Sequence, residues 1–186
     1  MLSQILANSL IFVKLHVSLR KDLCMRKIEF VPVILTEVTD IFTIRIDNDT
    51  LTEFHKFLIM FKDTTNPYLK DDLYRIESAI KQISLNGALE SLFRPEGKMS
   101  DRVCAMPILI KSRSKNIGTL RLYCIRISDK LLILGGGGLK TTNSYEQDEL
   151  LSKKVEDLQL VDKEIADLEK NTIIDNAIYN LTIEID

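Results

Sequence analysis

The chain has 186 residues, 45% of them hydrophobic and 28% charged, with a formal net charge of -2. This is the length and composition of one globular domain, with room for an appendage, and it excludes an all-round basic nucleic-acid coat while leaving room for a local basic patch. Three cysteines, Cys24, Cys104 and Cys124, show no CxxC spacing; so sparse a set fits a reducing compartment, with Cys104 and Cys124 as small core hydrophobes.

Residues 1–25 read as an extension of uncertain status. Leu2 to Val17 is apolar but interrupted by Lys14 and His16, too short and too polar to span a membrane. Its basic residues follow the apolar run instead of preceding it, which is not the order of a signal peptide. Two readings stand: translation that begins at Met25, or an amphipathic helix that packs on the domain or on a partner.

Residues 26–186 read as a single domain. Ile28 to Leu35 is apolar with Pro32 inside it, the pattern of an edge or irregular strand. Phe42 to Ile46 alternates and reads as a strand with one buried face. After the turn Asp47-Asn48-Asp49, Thr50 and Glu53 have capping-box spacing, and Leu51, Phe54, Phe57, Leu58 and Phe61 form a helical face. Asn66-Pro67 breaks it. Leu69, Leu73, Ile76, Ile80 and Ile83 give a second helix, closed by Asn86-Gly87. Val103 to Met106 and Ile108 to Ile110 read as strand on either side of Pro107, and Lys111 to Asn116 as a basic loop.

Leu120 to Ile127 and Leu131 to Leu134 flank the break Ser128-Asp129-Lys130 and read as a β-hairpin. The first run is apolar on both faces, as a covered central strand is, yet it carries Arg121 and Arg126 on opposite faces by the period of two. The hairpin leads into Gly135 to Gly138, read as a glycine turn leaving the sheet. The last long helix carries Leu151, Val155, Leu158, Val161, Ile165 and Leu168 on its apolar face. Leu181, Ile183 and Ile185 alternate as a final strand, which either closes the sheet edge or pairs with Ile173-Ile174. Charge is segregated. Residues 92–126 hold eight basic side chains against two acidic ones, and residues 143–170 nine acidic against four basic.

The order strand, glycines, Lys140-Thr141-Thr142, helix imitates a phosphate-binding loop. The spacing refuses it, because Leu139 stands where G-x-x-x-x-G-K-[ST] needs glycine and Leu134 occupies the first glycine slot. His16 and His55 are the only histidines and lack ligand-spaced companions, so neither metal nor cofactor is expected. Tyr123 and Tyr145 are acid-base candidates, though a strand tyrosine is ordinarily packing. Arg121 and Arg126 fit two readings equally, a bidentate hold on phosphate or ion pairs to the acidic helix.

Three stretches carry a family resemblance. They are Leu120-Arg121-Leu122-Tyr123-Cys124-Ile125-Arg126, then Leu131-Leu132-Ile133-Leu134, then Gly138-Leu139-Lys140-Thr141-Thr142, with Phe93-Arg94 ahead of them. Over residues 40–165 the chain resembles the RelE/HigB-like toxins of bacterial toxin-antitoxin pairs, in particular an uncharacterised RelE-like subgroup. Where that family usually has a Glu-Leu-Arg-like triplet, this chain has Ala105-Met106-Pro107. The resemblance implies an α+β, RelE-like fold: a small antiparallel-rich sheet with two N-terminal helices on one side and a long C-terminal helix. It implies a cytoplasmic endoribonuclease that cuts mRNA, often on the ribosome, without metal or cofactor. Its partners would be mRNA, the ribosome and a cognate antitoxin protein, with no membrane involved. Carried over, Tyr123, Arg121 and Lys140 would be catalytic, and Arg94, Lys98, Arg102 and Arg126 would hold RNA phosphates. The alternative is a RelE-like RNA- or protein-binding module without cleavage, its basic groove covered by the acidic C-terminal helix.

Overall fold

A computed structural model describes residues 25–96, 101–108 and 117–185. Residues 1–24, Lys98, Leu109-Ile110 and the basic loop Lys111 to Asn116 lie outside the described residues, with the expectations placed on them.

Seven strands form one mixed sheet: β1 (Arg26–Ile34), β2 (Asp40–Ile46), β3 (Arg94–Pro95), β4 (Val103–Ala105), β5 (Thr119–Ser128), β6 (Leu131–Lys140) and β7 (Thr182–Ile185). Their order across the sheet is β3-β4-β5-β6-β2-β1-β7, and the sheet curls into a half-barrel. Only β2 and β6 run parallel among these neighbours; every other pair is antiparallel. Three long helices, α1 (Glu53–Phe61), α2 (Pro67–Asn86) and α3 (Glu149–Glu169), pack on it, and a single turn, α4 (Ile174–Ala177), precedes β7.

This corrects the expected fold. The sheet is large instead of small, α1 and α2 follow two strands instead of opening the domain, and helices cover both faces. Part of the reason is β1. Pro32 is exposed at a register shift between Pro32 and Ile34, beyond the β7 ladder, which ends at Glu29; its missing N–H falls where β2 alone pairs with β1, while Ile28 and Glu29 lie inside the sheet. Ile28 and Phe30 pack inward, and β7 pairs along the outer side of β1 from Arg26↔Ile185 to Glu29↔Thr182. The closing strand is therefore the sheet-edge reading of residues 181–185.

The helices start and stop for local reasons. The Thr52 hydroxyl accepts the His55 N–H at 3.2 Å and caps α1, two residues on from the expected Thr50–Glu53 box. Asn66 accepts the Tyr68 N–H at 3.0 Å ahead of Pro67, and α2 ends at Gly87, φ 100°, a conformation that favours glycine. Asp148 accepts the Leu150 and Leu151 N–H groups, each at 3.1 Å, and opens α3. Phe54, Phe57, Phe61, Leu69, Ile76, Ile80 and Ile83 of α1 and α2 bury against Leu120, Leu122, Cys124, Leu132 and Leu134. Leu151, Val155, Leu158, Val161 and Ile165 of α3 bury on the opposite face, against Tyr123, Ile125, Ile133 and Phe42. Each such side chain contributes roughly 1.5–3 kcal/mol, which makes α3 a wall of the core.

Gly135 to Gly138 do not form a turn. They lie buried inside β6, and what they provide is absence of bulk. A Cβ on Gly135 would stand 2.6 Å from Leu158 of α3, and one on Gly138 would stand 3.0 Å from Leu151. Gly135 and Gly136 together face the single residue Tyr123, since Cys124 pairs with Leu134 and Leu122 with Gly137. Two residues opposite one is a β-bulge. Across it, the buried Glu53 carboxylate of α1 meets Lys154 of α3 at 2.6 Å and Lys56 at 2.7 Å, in the space that a side chain at 136 would fill.

Candidate nucleic-acid interface

The six described cations and acid-base groups that the resemblance singles out divide into two sets. Arg126 belongs to the face of α1 and α2. Its Nε donates to the Ala88 carbonyl at 2.6 Å and its Nη2 reaches Asp129 at 2.5 Å. Here the period of two along β5 holds: Arg126 shares the face of Cys124, while Arg121 and Tyr123 face α3. Arg102 is also engaged. Its backbone N–H and its Nε donate to the two oxygens of Asp162 at 2.9 and 2.7 Å, and its Nη1 donates to Glu169 at 3.0 and 2.8 Å. The ion pair to the acidic helix expected of Arg121 or Arg126 is made instead by Arg102, whose Nη2 is buried without a hydrogen-bond partner among the described residues. Both arginines thus carry protein partners in this structure, as a poorly hydrated guanidinium requires.

Arg94, Arg121, Tyr123 and Lys140 share one face. Register places them there: Arg94 pairs with Ala105, Ala105 with Tyr123, Arg121 with Gly138 and Thr119 with Lys140. Directly opposed residues of neighbouring strands project to the same side. The face is that of α3, at the end where the helix begins, because Gly138 abuts Leu151. Among the described residues, no carboxylate forms an ion pair with Arg94, Arg121 or Lys140. Arg121 Nε and the Tyr123 hydroxyl are buried with no hydrogen-bond partner among the described residues.

Tyr123 is the centre of the group. Its side chain is 0% exposed. Burial pushes its phenol far above the ordinary range, the Glu96 carboxylate adds to the effect, and Arg121 opposes it. The hydroxyl is therefore a proton donor at neutral pH and not a base. Tyr145, in the short 3-10 turn Tyr145–Gln147 just before α3, stands edge-on to Tyr123. Burial and the adjacent Glu146 raise its phenol as well. The Glu146 carboxyl is lowered, first by the Ser144 hydrogen bond and last by attraction to Lys140.

Two residues of this neighbourhood carry no signal in the sequence that assigns them a role. Glu96 follows β3 on the Arg94 face and is the charge that most affects the Tyr123 hydroxyl. Asp162 is a buried acid on the border of the apolar stripe of α3; its one detectable signal is its spacing of four from Leu158, on the inner side of the helix. No three His, Cys, Asp or Glu side chains gather as metal ligands would among the described residues, and no helix among them is long and apolar enough to cross a membrane.

No family model, curated protein or solved structure matches the chain.

What this face can do follows from its chemistry. Three cations that form no ion pair among the described residues share a face with a protonated phenol; such a set favours an anion with several oxygens, and a phosphodiester has the right charge and acceptors. The glycine segment cannot cradle phosphate, since it lies as a buried strand beneath α3.

Proposed function

We propose that the chain is a RelE-like toxin component: a cytoplasmic protein that binds messenger RNA, in the setting of the ribosome, and cuts it without metal. The observation that carries this reading is the set Arg94, Arg121, Tyr123 and Lys140, held on one face, where Arg121 Nε and the Tyr123 hydroxyl are buried with no hydrogen-bond partner among the described residues. In the reaction the ribose 2′-oxygen attacks the adjacent phosphorus as the bond from phosphorus to the 5′-oxygen breaks. Tyr123 donates its proton to that departing oxygen. The 2′-hydroxyl proton passes to the Glu96 carboxylate. Arg121 and Lys140 stabilise the charge on the pentacoordinate phosphate, and Arg94 holds the neighbouring backbone. A cognate antitoxin would act by covering these cations.

The test is incubation of the purified protein with ribosomes and a defined message, with the new ends mapped. Cleavage lost in Arg121→Ala and Tyr123→Phe supports the reading; an intact message with the unaltered protein overturns it.

A second reading is favoured by the complete enclosure of the Tyr123 ring. In it the same cations bind RNA without cutting it. Retained binding with no new ends is its signature. In neither reading does α3 act as a removable cover, because its apolar side chains are core.

A further inference from the structure

The hairpin that carries Arg94 and Glu96 is weakly built by itself. β3 has two residues, and its ladder to β4 consists of Arg94↔Ala105 and Pro95↔Cys104, extended by the Glu96 N–H to the Val103 carbonyl at 3.0 Å. It also lies at the sheet edge, with no strand outside it among the described residues. Two-stranded pieces of this length are not stable unaided. What holds its loop end is α3. Asp162, buried at 5% exposure, accepts both the backbone N–H and the Nε of Arg102. Glu169, two turns on, takes Nη1. From the same helix, Gln159 donates to Asp101 at 2.8 Å. These bonds span about sixty residues of sequence. A carboxylate that accepts a backbone N–H and a guanidinium together fixes both the path of the strand and the arginine's direction.

We propose, resting on the RNA-binding reading above, that Asp162 is a positioning residue for the RNA site: through Arg102 it sets the β3–β4 hairpin so that Arg94 faces the same phosphate backbone as Arg121 and Lys140. Asp162 touches no RNA. It determines whether Arg94 does. The acidic stripe of α3 is, on this account, the anchor of the basic face.

Salt dependence tests this, because each phosphate contact on a single strand contributes about 0.7 to the slope of log affinity against log salt. The probe is a fluorescein-labelled single-stranded oligoribonucleotide, and the protein is the full chain. Arg94→Ala lowers the slope by about 0.7. Asp162→Asn, which keeps the shape but not the charge, lowers it by the same amount, and so does Arg102→Gln. The double variants Asp162→Asn/Arg94→Ala and Arg102→Gln/Arg94→Ala lose no more than Arg94→Ala alone. Partial unfolding would reduce the binding-competent fraction and leave the slope intact. Asp162→Asn with an unaltered slope, or slope losses that add in the double variants, overturns the proposal while the RNA-binding reading stands. Unaltered protein without salt-dependent RNA binding overturns both. Amide exchange supplies a readout free of RNA: protection lost at Val103–Ala105 in Asp162→Asn, with α1 and α2 unaffected, supports the anchor, and unchanged protection refutes it.

Discussion

The rings of Tyr123 and Tyr145 meet edge to face, with centroids 6.2 Å apart and planes at 67°. The contact buries the Tyr123 ring while its hydroxyl has no hydrogen-bond partner among the described residues. A buried donor without a partner costs about 1–3 kcal/mol, so the hydroxyl is a burden on the folded state. Tyr123→Phe is expected to raise the stability by about 1 kcal/mol and to abolish RNA cleavage. Urea unfolding and the ribosome assay check the two halves. A Phe variant that is less stable, or that cuts as the parent does, contradicts the account of this residue.

The four glycines of β6 are not equivalent. A Cβ on Gly137 would stand 2.1 Å from the Arg121 carbonyl oxygen and 2.9 Å from the Leu122 Cα, both backbone atoms that cannot rotate aside. One on Gly138 meets only the end of the Leu151 side chain. Gly137→Ala is expected to cost about 3 kcal/mol and Gly138→Ala about 1 kcal/mol. Denaturant midpoints give the ranking, and equal losses would refute it.

Arg121 and Arg126 are five residues apart and serve opposite ends. Loss of Arg126 leaves the Ala88 carbonyl without its donor, so Arg126→Ala is expected to destabilise by about 2 kcal/mol with RNA affinity unchanged once folding is allowed for. Arg121→Ala removes a buried nitrogen that has no partner among the described residues. Stability is expected to hold or rise, while the salt slope of RNA binding falls by about 0.7. Thermal melts beside binding isotherms separate the two, and a reversed pattern would exchange their roles.

High pH should weaken the fold in a definite order. Burial, with Asp101 adding to it, pushes the Cys104 thiol up to about 11, and burial pushes Cys124 well above its usual 9.0. Above pH 9 the unfolded chain releases thiol protons that the folded chain keeps. The unfolded state then binds fewer protons, and stability falls as pH rises. The fall is at most about 1.4 kcal/mol per pH unit for each group, and for Cys104 it is complete near pH 11. Tyr123 joins above pH 10, with the same sign. Chemical denaturation from pH 7 to 11 should show a decline that begins near pH 9, and in Cys104→Ala/Cys124→Ala a decline that begins near pH 10. Identical onsets would show that the thiols take no part.

Helix faces were legible in the sequence because each is a local periodicity: Phe54, Phe57 and Phe61, then Leu69, Ile76, Ile80 and Ile83, then Leu151 to Ile165 bury as spaced, while Leu73 is half-buried and Leu168 is exposed. The β5–β6 hairpin was legible from its polar break. The opposite faces of Arg121 and Arg126 followed from the period of two. The glycine run misled, because glycine signals a turn in the sequence and, equally well, a strand pressed by a helix. Only the distance to Leu158 tells the two apart. The pairing of Arg102 with Asp162 was not legible for another reason: nothing local links residues so far apart. The size of the sheet was missed because Pro32 reports only on the second half of β1, where the strand is irregular and pairs with β2 alone, while Ile28 and Glu29 pair with both β2 and β7.

The ladder between β1 and β7 joins the earliest described strand to the latest. As the polypeptide emerges from the ribosome, β1 can find β2 at once, but its outer edge stays open until β7 has been made. Assembly is then limited by its slowest, most non-local closure. In that interval a bare strand edge is available to any neighbouring chain, so translation speed over the codons between β1 and β7 should influence how much protein reaches its native form.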